Sequence, residues 1–334
     1  MNVQDHTPRT IPDRAPNRFG IWKRWETLLF AVAVAIFIFN ALASPYFLSP
    51  SNLSYATFNF TEKAIIAFAM ALLIIAGEID LSVASIIAIA STAMGAAAVA
   101  GAPTPVLVLV GLSVGLAAGS VNGFIVTRFA IPSIVVTIGT MSLFRGIAYV
   151  VLGDQVYRNY PPDFAYFGQG YVWWVFSFEF VLFLILAVIF GIVLHKTVFG
   201  RQVYAIGNNP VAAQFSGVRV NRVRFILFLL TGLMSGVAAI LLTSRIGSTR
   251  PTIATGFELE IVTMVVLGGI SILGGSGTIP GVVIAAFLMG LVTFGLGLLN
   301  VAGIVMSIFI GSLLIGVIAI PIIWRKAAAR LRSA

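Results

Sequence analysis

Apolar runs of membrane-crossing length recur along almost the whole chain, each separated from the next by a short polar break. A transmembrane helix needs about 20 such residues to cross a hydrocarbon core of about 30 Å. Hydrophobic residues make up 59% of the 334 residues and charged ones only 9%, whereas soluble domains are about one quarter charged. The sequence therefore predicts an all-α polytopic membrane protein of about ten transmembrane helices. The spans fall near 26–47, 63–77, 82–100, 105–128, 133–152, 171–195, 224–243, 258–273, 280–298 and 302–324. Two of them, 63–77 and 258–273, are short, and both end in broken sequence: GEIDLS at 77–82 and GGSGTIPG at 274–281. Paired short, interrupted helices in two halves of a transporter point to the translocation path. The stretch from Met70 to Gly95 also aligns with Met264 to Gly290 through one gap, sharing the methionine, the glycine break and the closing Met-Gly. Two loosely related halves are expected, with short broken helices near the path.

The net charge of +9 could suggest a nucleic-acid surface, but its distribution does not. Fifteen of the 20 basic residues lie in the amino-terminal tail, beside Arg128, in the 196–224 loop or in the carboxy-terminal tail. Ten spans place all of these on one side, as the retention of Lys and Arg in the cytoplasm requires. The expected layout is a disordered cytoplasmic tail over 1–25, a membrane domain over 26–324 with its main cytoplasmic loop at 196–224, and a basic cytoplasmic tail over 325–334. Both termini face the cytoplasm of a bacterial inner membrane. The first apolar run is too long for a cleavable signal. There is no cysteine, which excludes disulfides and thiol chemistry.

The 196–224 loop, KTVFGRQVYAIGNNPVAAQFSGVRVNRVR, carries five basic residues and no acidic one. Asn209 can cap a helix, Pro210 suits its first position, and Gly217 suits the left-handed conformation that ends one. A helix of about two turns over 210–216 is predicted, too short to be stable without packing. Phe215 is its one large ring among small side chains. Such a shape suits either a partner's groove or packing against the ends of the chain's own spans.

Glu78 and Asp80 are the most telling polar residues in the apolar sequence, because a carboxylate there is costly unless it meets water, a partner or a substrate. Asp80 can alternatively serve the amino-terminal end of the helix that begins near Ser82. A capping role accounts less well for Glu78, which is better read in the path or in a contact between two copies. Asn122 suits an interhelical hydrogen bond, and Thr137 and Thr140 either line a polar conduit or bond back to the preceding turn. Arg145 lies near an outer end, where it can snorkel. The candidate pathway set is Glu78, Asp80, Ser82, Asn122, Thr137 and Thr140. Small residues over 111–123, GLSVGLAAGSVNG, let helix backbones approach closely. His6 and His195 belong to no metal or nucleophile constellation, and no Gly-Lys pair exists to build a phosphate-cradling loop. No cofactor is expected, and energy for active transport has to come from another chain. A proton-coupled carrier working through Glu78 and Asp80 is the alternative.

Four blocks in order give the chain from 27 to 324 a resemblance to the permease subunits of ribose-type ABC sugar importers. They are GEIDLSVAS at 77–85, GLAAGSVNGFIVTRFAIPSIVVTIGTMSLFRG at 115–146, GRQVYAIGNNPVAAQFSGVRV at 200–220 and VLGGISILGGSGTIPG at 266–281. The resemblance implies a second permease copy or a similar chain, cytoplasmic ATP-binding subunits and an extracytoplasmic sugar-binding protein. It makes the third block the coupling loop, with Gly200, Asn208, Asn209, Pro210, Ala213, Phe215 and Gly217 as its matching positions. Glu78 stands where the family usually has Gly, and Ala84 where Gly is common. These departures look most like the rhamnose branch; permeases of the same superfamily for autoinducer-2 or branched-chain amino acids are the other reading.

Overall fold

The computed structural model describes residues 25–58 and 60–303, together with 305, 306, 308, 309, 311, 312 and 315. The two tails, apart from Trp25, and most of the span expected at 302–324 lie outside the described residues. Among the described residues up to Asn300, thirteen α-helices run in order: α1 (Trp25–Ala43), α2 (Pro50–Phe58), α3 (Thr61–Ile75), α4 (Val83–Val99), α5 (Thr104–Phe129), α6 (Ser133–Leu152), α7 (Tyr166–Gln169), α8 (Phe178–Lys196), α9 (Val198–Asn208), α10 (Pro210–Phe215), α11 (Val220–Ile246), α12 (Phe257–Leu267) and α13 (Ile279–Leu298). A two-stranded hairpin, β1 (Tyr171–Trp173) and β2 (Phe176–Ser177), is the only sheet among the described residues.

Six of these helices are long and apolar enough to cross a membrane: α1, α5, α6, α8, α11 and α13. The α2–α3 pair, bent by 44°, would make a seventh. α4, with 17 residues, is a shorter apolar helix. The run expected to span at 258–273 is a helix of only 11 residues, about 16 Å long at 1.5 Å per residue and well short of the hydrocarbon core. The expected span at 171–195 also starts too early. Its first seven residues form the hairpin, and α8 begins only at Phe178, where the Ser177 hydroxyl accepts the Phe180 N–H.

α3 is apolar on every side, which suits only a helix surrounded by others. Every residue of it but Lys63 is buried. α8, α11, α12 and α13 pack around it. On its α8 and α13 side the filling is aromatic, with Phe68 stacked on Phe183 at 5.4 Å and Phe60 against Phe287 at 5.2 Å.

Among the described residues, the most extensive helix pairing is α5 on α11. A Cβ built on Gly115 would lie 2.5 Å from Gly232 O and 2.9 Å from Gly236 Cα, so the two backbones touch. The glycine spacing that allows this is legible on both helices, Gly111-Gly115-Gly119 on one and Gly232-Gly236 on the other. α11 is thereby held at the centre, against α3 and α4 as well as α5.

Arg145 does not snorkel. Its guanidinium donates to Pro251 O (2.6 Å), Ile253 O (2.7 Å) and Ala84 O (3.2 Å), and so ties the segment between α11 and α12 to the start of α4. Carbonyls freed by irregular backbone are better partners for a guanidinium in an apolar setting than a long reach to the surface. On the same side of the bundle Arg245 makes a two-pronged pair with the buried Glu62, both contacts 2.8 Å.

Candidate functional site

The break between α3 and α4 is a short irregular stretch, and its polar groups are met by side chains from three other helices. Asp80 Oδ1 accepts the Ser82 N–H (2.9 Å) and the Ser82 hydroxyl (2.6 Å). The Asp80 carboxylate therefore shapes the turn into α4 rather than capping the free N–H groups of its first turn. Asn122 of α5 donates to Ser82 Oγ (2.8 Å) and approaches both Asp80 oxygens at 3.4–3.5 Å. Thr231 of α11 approaches from the other side at 3.4 Å. All four residues are fully buried.

The residue before Asp80 is held by α6. Ser133 Oγ accepts the Ile79 N–H at 3.2 Å and Thr137 donates to Ile79 O at 3.4 Å, while Thr140 bonds back to Thr137 O. Asp80, Ser82, Asn122 and Thr137 are thus brought around one break, whereas Thr140 only bonds back within α6, the second of the two fates open to it in the sequence. Glu78 is turned away from them. Its Oε1 lies 2.9 Å from Arg224 Nε on α11, at the far end of the basic loop. Neither side chain is more than a quarter exposed. Thr231 and Ser133 were not singled out in the sequence, where a lone Thr or Ser in a span carries no signal beyond its polarity. Asn122 Oδ1 is buried with no donor among the described residues.

The basic loop is two helices rather than one. α9 folds back on the end of α8, its Gly200 N–H bonded to Thr197 Oγ1. Its strongly amphipathic pattern buries Gly200, Val203 and Ile206. A single residue, Asn209, then separates α9 from α10. Asn209 Oδ1 accepts the Val211 and Ala212 N–H groups (3.1 and 3.0 Å), Pro210 takes the first helical position, and Gly217 is left-handed at φ +85°, as the sequence predicts. The two faces of α10 differ: Ala213 is buried against the protein and Phe215 is 90% exposed. The Ala213 face packs against the chain's own helices, as one of the two expectations has it, and the Phe215 face is left uncovered. Beside it an open cleft of ≈ 500 Å³ is lined by Pro210, Val211, Gln214, Arg219, Arg222 and Arg224.

α9 also meets both breaks. Asn208 Nδ2 donates to Gly275 O (3.2 Å) and Tyr204 OH to Gly277 O (2.6 Å), both in the break between α12 and α13. Gly275 N in turn donates to Ile75 O, at the end of α3, at 2.9 Å. The two breaks paired by their place in the sequence therefore touch, with the polar loop lying across them. Trp25, Glu26 and His195 hold the second break from its other sides, through Leu267 O, Thr278 Oγ1 and Ile279 N respectively.

A bundle of apolar helices with two touching breaks and a capped loop helix is what the fold presents, and the sequence is similar to known transport proteins. The ribose import permease of Bacillus subtilis (strain 168) is 34% identical over 276 residues, covering 82% of this chain and 84% of the relative. The autoinducer 2 import system permease of Escherichia coli (strain K12) is 35% identical over 300 residues, covering 88% and 91%; that of Shigella flexneri matches to the same extent. No solved structure matches the chain. The chain is a transport component and not an enzyme; with residues 52–318 matching its model, it belongs to the family described as branched-chain amino acid transport system, permease component.

Proposed function

We propose that this chain is the translocating subunit of an ATP-driven importer that carries a monosaccharide across the bacterial inner membrane, and that its α10 helix is the seat of the ATP-binding subunit. One observation carries the proposal: the capped α10 helix with Phe215 exposed, in a loop with five basic residues and no acid. A bulky ring exposed on a capped helix of the polar loop is well placed to enter a partner's pocket, and rings in such pockets are typical anchors of binding energy. The relatives are importers of ribose and autoinducer-2, which supports a small polyhydroxylated substrate. Rhamnose or a related deoxyhexose or pentose is the preferred cargo, on the residues Glu78 and Ala84. Autoinducer-2 is the second reading, favoured by relatives that match over nine tenths of their own length.

In this arrangement the basic loop and both termini face the cytoplasm, and two permease copies or two similar chains pair in the membrane. A sugar-binding protein delivers the cargo on the opposite side. The substrate passes beside the break held by Asp80, Ser82, Asn122 and Thr137, with Thr140 one turn further along α6, and Asn122 Oδ1, which has no donor among the described residues, is a spare acceptor for a sugar hydroxyl. The proton-coupled alternative is weakened because Glu78 is engaged by Arg224, and Asp80 by Ser82.

The chain has no cysteine, so single cysteines introduced at Val211 or Phe215, both exposed, report only on α10. Crosslinks to the ATP-binding subunit that change with nucleotide are expected. Ala213 is a poorer reporter, because it faces the protein's own core. Phe215→Ala should weaken ATPase binding by about 2 kcal/mol, roughly 30-fold, while leaving the membrane fold intact. Failure to crosslink from either exposed position in a complex that still transports would overturn the assignment. A panel of labelled rhamnose, ribose and autoinducer-2 offered to the binding protein decides the cargo.

A further inference from the structure

We infer that α9 is a rigid strap that passes displacement of α10 directly into both membrane breaks, with Tyr204, Gly207 and Asn208 as its three attachment points. The inference rests on the proposed docking of an ATP-binding subunit at α10 and adds the route by which its motion reaches the path.

The argument begins with what lies between the two helices. Only Asn209 separates them, and its side chain is already fixed by two N–H groups of α10. Its own N–H is fixed by Ala205 O of α9, at 3.1 Å. A single residue bonded to the helix on each side is a stiff joint, so α10 cannot move far without the last turn of α9 following.

That last turn grips both breaks. Asn208 Nδ2 is shared between Tyr204 O (2.8 Å), within α9, and Gly275 O (3.2 Å), in the second break. Tyr204 OH donates to Gly277 O at 2.6 Å. Gly207, between them, has no room for a side chain. A Cβ there would overlap Ile75 O and lie 2.5 Å from Gly275 N. Those two backbone groups are themselves hydrogen-bonded, at 2.9 Å. The end of α3, the second break and the end of α9 therefore meet at one point of backbone contact, with no side chain between them to absorb displacement. The first break is held from the other arm of the loop as well, through Glu78 and Arg224. A push on α10 reaches the end of α3 and the break just before α13 together. Packed elements of this kind shift between discrete arrangements rather than deforming smoothly.

Tyr204 and Asn208 are positioning residues on this reading, because they act on the path through the breaks and touch no substrate. Tyr204→Phe and Asn208→Ala remove the bonds to Gly277 O and Gly275 O without adding bulk. In liposomes containing the whole complex, the double variant should recruit the ATP-binding subunit and hydrolyse ATP as the parent does. The cargo moved per ATP should fall about tenfold, the factor that corresponds to losing one to two ordinary hydrogen bonds. Restoring Tyr204 alone should recover part of it. A purely structural role would instead lower folded yield and ATP hydrolysis together. An unchanged ratio of cargo to ATP in the double variant overturns the strap.

Hydrogen exchange on the permease alone gives a second reading that does not depend on the ATPase. The amides of 274–277 should exchange faster in the double variant than in the parent. Unchanged exchange there overturns the strap even if no ATP-binding subunit docks at α10. Failure of the parent to recruit an ATPase overturns the docking proposal instead, and the exchange result then decides whether α9 holds the breaks.

Discussion

Replacing Asp80 separates a structural lock from a charge used in transport. The carboxylate is fully buried and is the acceptor for the Ser82 N–H at 2.9 Å and the Ser82 hydroxyl at 2.6 Å. Its contacts with Asn122 and Thr231 are longer, at 3.4–3.5 Å. Both of those side chains also have nearer acceptors, Ser82 Oγ at 2.8 Å and Phe228 O at 2.9 Å. Asp80→Ala thus strands two buried donors, the Ser82 N–H and O–H. At about 1–3 kcal/mol for each unsatisfied group, the loss is about 2–6 kcal/mol. Asp80→Asn keeps an oxygen in the same place and should lose less than about 1.5 kcal/mol, the worth of one ordinary hydrogen bond. Equilibrium unfolding of the two variants in mixed micelles measures the difference, and uptake in liposomes measures what the charge does beyond it. The lock predicts that the asparagine variant folds and transports while the alanine variant is unstable. Equal stability of the two would refute the hydrogen-bond argument, and a stable asparagine variant that cannot transport would assign the charge itself to the path.

Gly115→Val puts methyl groups where Gly232 O and Gly236 Cα already sit within 3 Å of a single Cβ. It should cost about 1–3 kcal/mol by forcing α5 and α11 apart, read as lost thermal stability and folded yield; a neutral result would mean that the helices do not touch there. Glu78→Gln and Arg224→Gln, singly and together, should show a coupling of roughly 0.5–3 kcal/mol in a double-mutant cycle of stability. Additive losses would mean that the 2.9 Å approach carries no energy. Glu78→Gly, which restores the usual family residue, should alter transport rate or cargo preference; if neither changes, Glu78 only braces Arg224.

Most of the helical architecture is legible in the sequence because hydrophobicity fixes what a membrane chain can do. The limits of α5, α6 and α13 fall within a residue or two of the apolar runs that predict them. α10 is legible for a different reason, since Asn209, Pro210 and Gly217 each have a local preference that needs no tertiary partner. What failed depends on partners distant in sequence. Hydropathy alone cannot tell that α12 stops at Leu267, because Ile270, Ile272 and Leu273 carry the apolar run on past it. The hairpin before α8 is aromatic and β-branched, and read as span for the same reason. α9 was missed as a helix because its polar face made it look like loop, although its periodicity marks it as an amphipathic helix. Within the site, the polar residues near the break were found by their isolation in apolar sequence. Their grouping was not, because Asp80, Asn122 and Thr231 come from segments that only the fold brings together. Arg145 was misplaced because the carbonyls it binds, in 251–253, are exposed only by a backbone irregularity more than a hundred residues away.

The claim that this chain is one part of an ATP-driven importer is tested most directly by uptake into liposomes that hold it alone or with an ATP-binding subunit and a sugar-binding protein. The account predicts accumulation of sugar only when all three proteins and ATP are present, with no response of the chain alone to a pH gradient. Accumulation by the chain alone, driven by that gradient and abolished by Glu78→Gln or Asp80→Asn, would contradict it.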